Sequence, residues 1–140
     1  MDCQSLSDSA VHYHELRSLA KEHERDPLLL ANLRVILGET EIAARRRAAD
    51  LDALAPPDPR GTRFVGTPEQ LIAWFASWQE HCACDGFNLL PAVLPDDLDL
   101  LADEVIPLAR RRGLFRADYV GETLRDHLGL TRPPSQYAGS

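Results

Sequence analysis

Val11, Leu16, Leu19 and Ala20, followed by His23, recur at three- and four-residue spacing and predict an amphipathic helix from about Asp8 or Ser9 to His23. The helix ends before Asp26 and Pro27, since proline restricts the residue ahead of it. Residues 28–37 form an apolar run broken only by Asn32 and Arg34. Residues 33–37 read as a strand closed by Gly38, whereas residues 28–30 fit a strand or a helical turn equally well. Residues 39–54 are rich in alanine and arginine and lack Gly and Pro, so a surface helix follows, with a thin apolar stripe of Ile42, Ala49 and Leu54.

Pro56, Pro57, Pro59 and Gly61 make residues 55–61 the clearest break in the chain. After a short extended piece at Phe64 and Val65 comes a strong helix start: Thr67 caps, Pro68 takes the first helical position and Gln70 completes a capping box. That helix presents Leu71, Phe75, Trp78 and Cys82 along one stripe, with Trp74 on its flank. An Asp85-Gly86 turn leads into a short strand, residues 86–90, stopped by proline. Its apolar composition predicts burial on both faces, and such a strand needs parallel neighbours joined by crossover helices. Asp96 and Asp97 then offer caps for a helix whose apolar face is Leu98, Leu101, Val105 and Leu108. Pro107 kinks or splits it, and Arg110, Arg111, Arg112 and Gly113 end it. Two parallel strands with flanking helices leave apolar faces uncovered, so the chain reads as part of a larger sheet or barrel.

Composition narrows the function. A formal net charge of −7 argues against a nucleic-acid or anionic-membrane surface, because phosphate binding by counterion release needs a net basic face. No apolar run approaches the ~20 residues of a membrane span. The start, Met1 to Ser5, lacks the basic and apolar regions of a signal peptide, which points to the cytoplasm. Cys3, Cys82 and Cys84 are an odd count without an export signal and read as reduced thiols. His81, Cys82 and Cys84 suggest a soft metal site, but His81 and Cys82 point to different helix faces and no fourth ligand sits at zinc-like spacing, so structural thiols are preferred and no metal is assigned. His12, His14 and His23 have no neighbouring nucleophile and read as surface or packing residues. Asp96, Asp97, Asp99, Asp103 and Glu104 are explained by their place at a helix start, and the arginine runs at 45–47 and 110–112 as solvated charge.

Phe64-Val65-Gly66-Thr67-Pro68-Glu69-Gln70, then Trp74 and Phe75, then Cys84-Asp85-Gly86-Phe87-Asn88-Leu89-Leu90-Pro91, resemble the carboxyl-terminal part of bacterial luciferase-like flavin monooxygenases. The likeness is strongest to the branch of nitrilotriacetate monooxygenase, pristinamycin synthase and dibenzothiophene-sulfone monooxygenase. Val105 to Leu108, Arg111 to Arg116, and Tyr119, Gly121, Thr123, Leu124, Arg125, Leu128, Gly129 and Leu130 follow that branch's tail, and Gly38-Glu39-Thr40-Glu41 its seventh strand-to-helix step. The resemblance runs from about Tyr13 to Pro133.

The fold it implies is α/β, the last two β/α units of a TIM barrel that needs about 250 residues in full. The piece is mostly helical with two or three short strands: strand seven at residues 33–37, strand eight at 86–90, and closing helices. As a domain it occupies residues 1–132, broken at 55–61, with a flexible tail at 133–140. Strands one to six, with the flavin-phosphate loop and most of the substrate pocket, are not in this sequence. The implied chemistry is monooxygenation of a small organic substrate by dioxygen and reduced FMN, delivered by a separate flavin reductase. No catalytic residue and no flavin contact is assigned. TIM-barrel sites lie at the C-terminal ends of strands, here residues 37–39 and 88–92, and Asn88 is the candidate substrate-facing residue. The alternative for Asn88 is bonding to neighbouring backbone or water. For the whole chain the alternative is a non-catalytic truncated remnant or a small self-associating interaction protein. The first reading implies an amino-terminal barrel partner, the second a homo-oligomer.

Overall fold

The computed structural model describes residues 6–56, 62–127, 129–131 and 133–134. The elements are α1 (Leu6–Glu22), β1 (Leu30–Leu37), α2 (Glu41–Leu54), β2 (Thr62–Gly66), α3 (Pro68–Glu80), β3 (Gly86–Pro91), α4 (Asp96–Leu100), a π-helical turn (Leu101–Val105), α5 (Ile106–Arg111) and α6 (Leu124–His127). Most of the expected break and of the expected tail lies outside the described residues.

The three strands form one parallel sheet in the order β2-β1-β3. β1 pairs with β3 from Leu30 opposite Gly86 to Val35 opposite Pro91, so the two strands read from the sequence are neighbours. The short piece at Phe64 and Val65 is a third strand, paired with β1 from Leu33 opposite Thr62 to Leu37 opposite Gly66. The chain steps one way across the sheet from β1 to β2 and back the other way to β3. Right-handed crossovers therefore put α2 on one face and α3 on the other. The side chains agree: Phe64 turns toward Trp74 of α3, ring centroids 6.4 Å apart, while its neighbour Arg63 reaches Asp52 of α2 at 2.9 Å.

The core lies on the α3 side. Leu33, Val35 and Leu37 alternate along β1 and are fully buried against Leu71 and Ile72 of α3 and Leu101, Val105 and Ala109 of the last helices. Ala31, Trp78 and Ala83 form a smaller cluster beneath Leu6 and Ala10 of α1. The opposite face corrects the expectation of a strand buried on both sides. Ile36 is buried, but Leu30, Arg34, Asn88 and Leu90 are exposed. A parallel sheet is covered on both faces only when enough crossover helices exist, and among the described residues α2 alone lies on that side.

Two apolar stripes also differ from expectation. α2 buries Ala44 and Ala48, leaving Ile42 and Leu54 more than four-fifths exposed. The helix runs too close to β1 for larger side chains: a Cβ on Gly38 would lie 2.7 Å from the Ala44 nitrogen. In the segment after β3, Leu98 is half exposed and Ala109 joins the core. Proline has no N–H to continue an α-helical ladder, and the wide π turn just ahead of Pro107 shifts the register of the buried face.

The Thr67 capping box forms as expected, with both reciprocal hydrogen bonds at 3.3 and 3.0 Å. Leu71, Ile72 and Trp78 are buried and Phe75 stacks on Phe87, but Cys82 lies beyond the helix, exposed, with φ of +48°. Gly113 ends α5 in the left-handed region at φ +70°. α6 was not expected. Its start is held by Asp126, whose carboxylate accepts the N–H groups of Glu122 and Thr123 at 3.1 and 2.9 Å.

Candidate functional site

The C-terminal ends of β1 and β3, where a TIM-barrel site is expected, are tied together by one buried carboxylate. Asp97 is fully buried; its Oδ1 accepts the Leu37 N–H at 3.2 Å and its Oδ2 the Val93 N–H at 2.8 Å. Arg47 of α2 pairs with it at 2.9 Å and also donates to the Leu37 carbonyl at 3.1 Å. The end of β1, α2 and the loop after β3 are thus fixed to one another by groups that satisfy buried backbone donors. This corrects the reading of Asp96 and Asp97 as helix caps. Pro95 occupies the cap position, no side chain caps α4, and Asp97 faces inward instead. The signal was faint, because Arg47 and Asp97 are fifty residues apart and each has an ordinary surface explanation in sequence.

Asn88 sits on the open face of β3. Its amide Nδ2 donates to Asn32 Oδ1 at 3.0 Å, across from it in register on β1. Of the two partners considered from sequence, backbone or water, neither is the one recorded, since a side chain on the next strand takes the bond. Arg34 lies two residues further along the same face, exposed, with no hydrogen-bond or ion-pair partner among the described residues. Its register neighbour Arg63 is neutralised by both oxygens of Asp52, at 2.9 and 3.0 Å. Asn32, Arg34 and Asn88 thus present a polar wall on one side of two strands, with the apolar Leu90 exposed beside them.

A second polar knot stands at the opposite, N-terminal end of the sheet. Asp85 accepts the Tyr13 hydroxyl and Arg17 at 2.8 Å each and the Leu29 N–H at 2.7 Å. Partial burial pushes the Asp85 carboxyl up, but these three donors outweigh it and hold the group below its ordinary range. The Tyr13 hydroxyl is raised by burial and by its bond to Asp85. Arg17 also pairs with Asp26. The sequence showed only a turn residue here. In TIM barrels this end concerns stability rather than chemistry, and α1 is anchored by it.

The other sequence candidates are dispersed. His12 and His81 bond to carbonyls one turn back in or beside their own helices, and His14 and His23 are exposed. Among the described residues, no group of three His, Cys, Asp or Glu side chains could hold a metal ion. No described helix is long and apolar enough to cross a membrane.

A flavin needs a concave site that buries most of its surface. The open face of β1 and β3 supplies one wall of such a site and does not close it. The described cavity, about 660 Å³, lies on the helix side between β3, α3, α5 and residues 114–116.

Solved structures identify the architecture. EDTA monooxygenase from Chelativorans sp. BNC1 superposes with a TM-score of 0.82 at 22% identity, covering 94% of this chain and 45% of that one. A riboflavin lyase, solved with modified FMN and riboflavin, gives a TM-score of 0.79 at 19% identity over 91% of this chain and 41% of that one. The fold is the closing portion of a luciferase-like TIM barrel. Sequence comparison then gives the branch. N-acetyl-S-(2-succino)cysteine monooxygenase of Bacillus subtilis (strain 168) is 48% identical over 75 residues, 54% of this chain and 17% of that protein. Nitrilotriacetate monooxygenase component A of Aminobacter aminovorans is 48% identical over 73 residues, 52% of this chain and 16% of that protein. A pristinamycin IIA synthase polypeptide of Streptomyces pristinaespiralis is 45% identical over 73 residues, 52% and 17% respectively. The resemblance seen in the sequence is therefore to a real branch of monooxygenases, and the chain matches less than a fifth of the length of each of these relatives. No protein-family model matches it.

Proposed function

We propose that the chain is the carboxyl-terminal portion of a cytoplasmic monooxygenase that acts on a small organic substrate with reduced FMN and dioxygen, and that it works only when the remaining strands complete the barrel. The observation that supports this most is the solvent-open polar wall of β1 and β3, in a chain about half of which is 48% identical to a monooxygenase. When bound, reduced FMN supplies two electrons to dioxygen, so that one oxygen atom enters the substrate and the other leaves as water. The part of this chain is to form one side of the site. Asn88, oriented by Asn32, faces the substrate, and the Asp97–Arg47 pair holds the strand ends that border it. No residue of the chain is assigned a covalent or proton-transfer role. A separate reductase supplies the flavin.

The test mixes the chain with the portion of nitrilotriacetate monooxygenase component A that precedes its 73-residue match. FMN binding is followed by fluorescence and assembly by light scattering. Flavin binding that appears only in the mixture supports the proposal. A stable oligomer of this chain, indifferent to FMN with or without the partner, refutes it and favours a non-catalytic self-associating protein. That second reading draws on the exposed apolar residues Val11, Leu19, Leu28 and Leu30.

A further inference from the structure

We propose that Arg34, with Asn32 beside it, seats the carboxylate of a small organic acid whose apolar body lies on Leu90. This rests on the proposed function, because it names the substrate class of the same open face.

Three side chains make a row across that face, since Arg34 of β1 is in register with Arg63 of β2 on one side and with Leu90 of β3 on the other. Neighbouring strands stand about 4.8 Å apart, so two arginines are adjacent, and like charges so placed are destabilising. Asp52 cancels the charge of Arg63 with both its oxygens, and Arg63 also donates to the Ala48 carbonyl at 3.4 Å. No described side chain does the same for Arg34, although the chain carries 22 acidic residues to 15 basic ones. One uncompensated positive charge therefore stands in the middle of the row, and a bound anion relieves it.

The next row, Asn32 and Asn88, supplies a second donor. Residues two apart on a strand share a face about 6.6 Å from each other, within the reach of a long arginine side chain. Asn32 spends its Oδ1 on the Asn88 amide at 3.0 Å, which leaves its own Nδ2 hydrogens without an acceptor among the described residues. A guanidinium fork and an amide N–H are both donors, and the fork matches the two oxygens of a carboxylate with two parallel hydrogen bonds. Leu90, 41% exposed and opposite Arg34, favours an acid with a hydrocarbon body over an inorganic anion, which would leave it in water. Phosphate suits the same donors, and FMN carries one, so the experiment separates the two sources.

The probe is hexanoate, added to the whole chain, with hexanamide as its uncharged counterpart. Nitrogen-15 NMR reads the side-chain N–H signals of Arg34 and Asn32. Hexanoate shifts both and saturates with a Kd of about 10 mM, the weak range of a solvent-open ion pair. Hexanamide binds about fivefold more weakly or worse, and Arg34→Gln weakens hexanoate on the order of tenfold. Arg34→Lys, which keeps the charge without the fork, falls between. Arg46→Gln removes the same charge from the exposed surface of α2 and changes nothing. If Arg34→Gln does not fold, the comparison of hexanoate with hexanamide decides. The proposal is overturned by hexanoate without effect, by equal binding of hexanamide, by an unaffected Arg34→Gln, or by shifts that fall instead on Phe87, Leu114 and Arg116 around the cavity. FMN and riboflavin are then titrated into the mixture with the preceding portion of nitrilotriacetate monooxygenase component A, for the parent and for Arg34→Gln. A loss confined to FMN assigns the oxyanion to the flavin phosphate and overturns the substrate assignment, whereas equal FMN binding upholds it. No FMN binding in the mixture, with hexanoate still seated at Arg34, refutes the functional reading and leaves the organic-acid site standing.

Discussion

Asp97→Ala is the most informative single change. Asp97 is fully buried, accepts two hydrogen bonds, from the Leu37 N–H and the Val93 N–H, and is ion-paired with Arg47. Its removal strands two backbone donors, at about 1–3 kcal/mol each. It also leaves Arg47 without its buried partner, and breaking a buried pair from one side costs about 3–5 kcal/mol. These costs overlap, and the Arg47 side chain is 24% exposed, so it can turn to water or to Asp96. The net loss is placed near the lower end, about 3 kcal/mol. With a urea slope of about 1.5 kcal/mol per molar, the unfolding midpoint falls by about 2 M. Trp74 and Trp78, packed at 4.5 Å between ring centroids, report the transition by fluorescence. Asp97→Asn keeps one carbonyl acceptor and loses about half as much, on the order of 1.5 kcal/mol. Asp96→Ala is the control, because that side chain is 66% exposed and 3.4 Å from Arg47, and it costs less than about 0.5 kcal/mol. If Asp97→Ala unfolds at the same midpoint as Asp96→Ala, the carboxylate does not hold the strand ends and the reasoning fails.

Three further outcomes are expected. The Asp85 carboxyl is lowered in the folded chain, so the stability it contributes is full above the unfolded value of about 3.9 and is lost as pH falls through the lower folded value. Urea midpoints measured from pH 5 downward should drop less steeply in Asp85→Asn than in the parent, and parallel curves would contradict this. Thr67→Ala removes the cap of α3 and costs about 1 kcal/mol in the same assay, whereas an unchanged midpoint would show that the capping box is idle. Gly38→Ala forces a methyl group to within 2.7 Å of the Ala44 nitrogen, a backbone atom that cannot swing aside. Overpacking of about 1–3 kcal/mol follows, and full retention of stability would mean that α2 is free to move off β1.

The sheet's existence was legible because β1 and β3 are short apolar runs bounded by Gly and Pro, and α3 because its start carries a complete capping box. Local rules decide such features, so sequence suffices for them. The face each helix buries was less legible. Ile42 is apolar and correctly spaced for burial, yet solvent takes it, because the close approach at Gly38 admits only alanine, and past the wide turn before Pro107 the buried position falls on Ala109. The polar knots at Asp85 and Asp97 escaped sequence reading altogether. The partners of Asp85 lie 56 to 72 residues away and those of Asp97, apart from nearby Val93, 50 to 60 away, and a carboxylate at a turn or helix start already has a sufficient local reason to be there.

Taken by itself, the sequence determined that this chain is a β/α piece of a luciferase-like barrel, since turn chemistry, apolar runs and family motifs are written in adjacent residues. Only the tertiary structure decided that β2 and β3 flank β1, that one face of the sheet stands open at Asn32, Arg34 and Asn88, and that β3 keeps an edge unpaired by any described strand. Those are relations between residues far apart in the chain, set by which surfaces the available helices can cover.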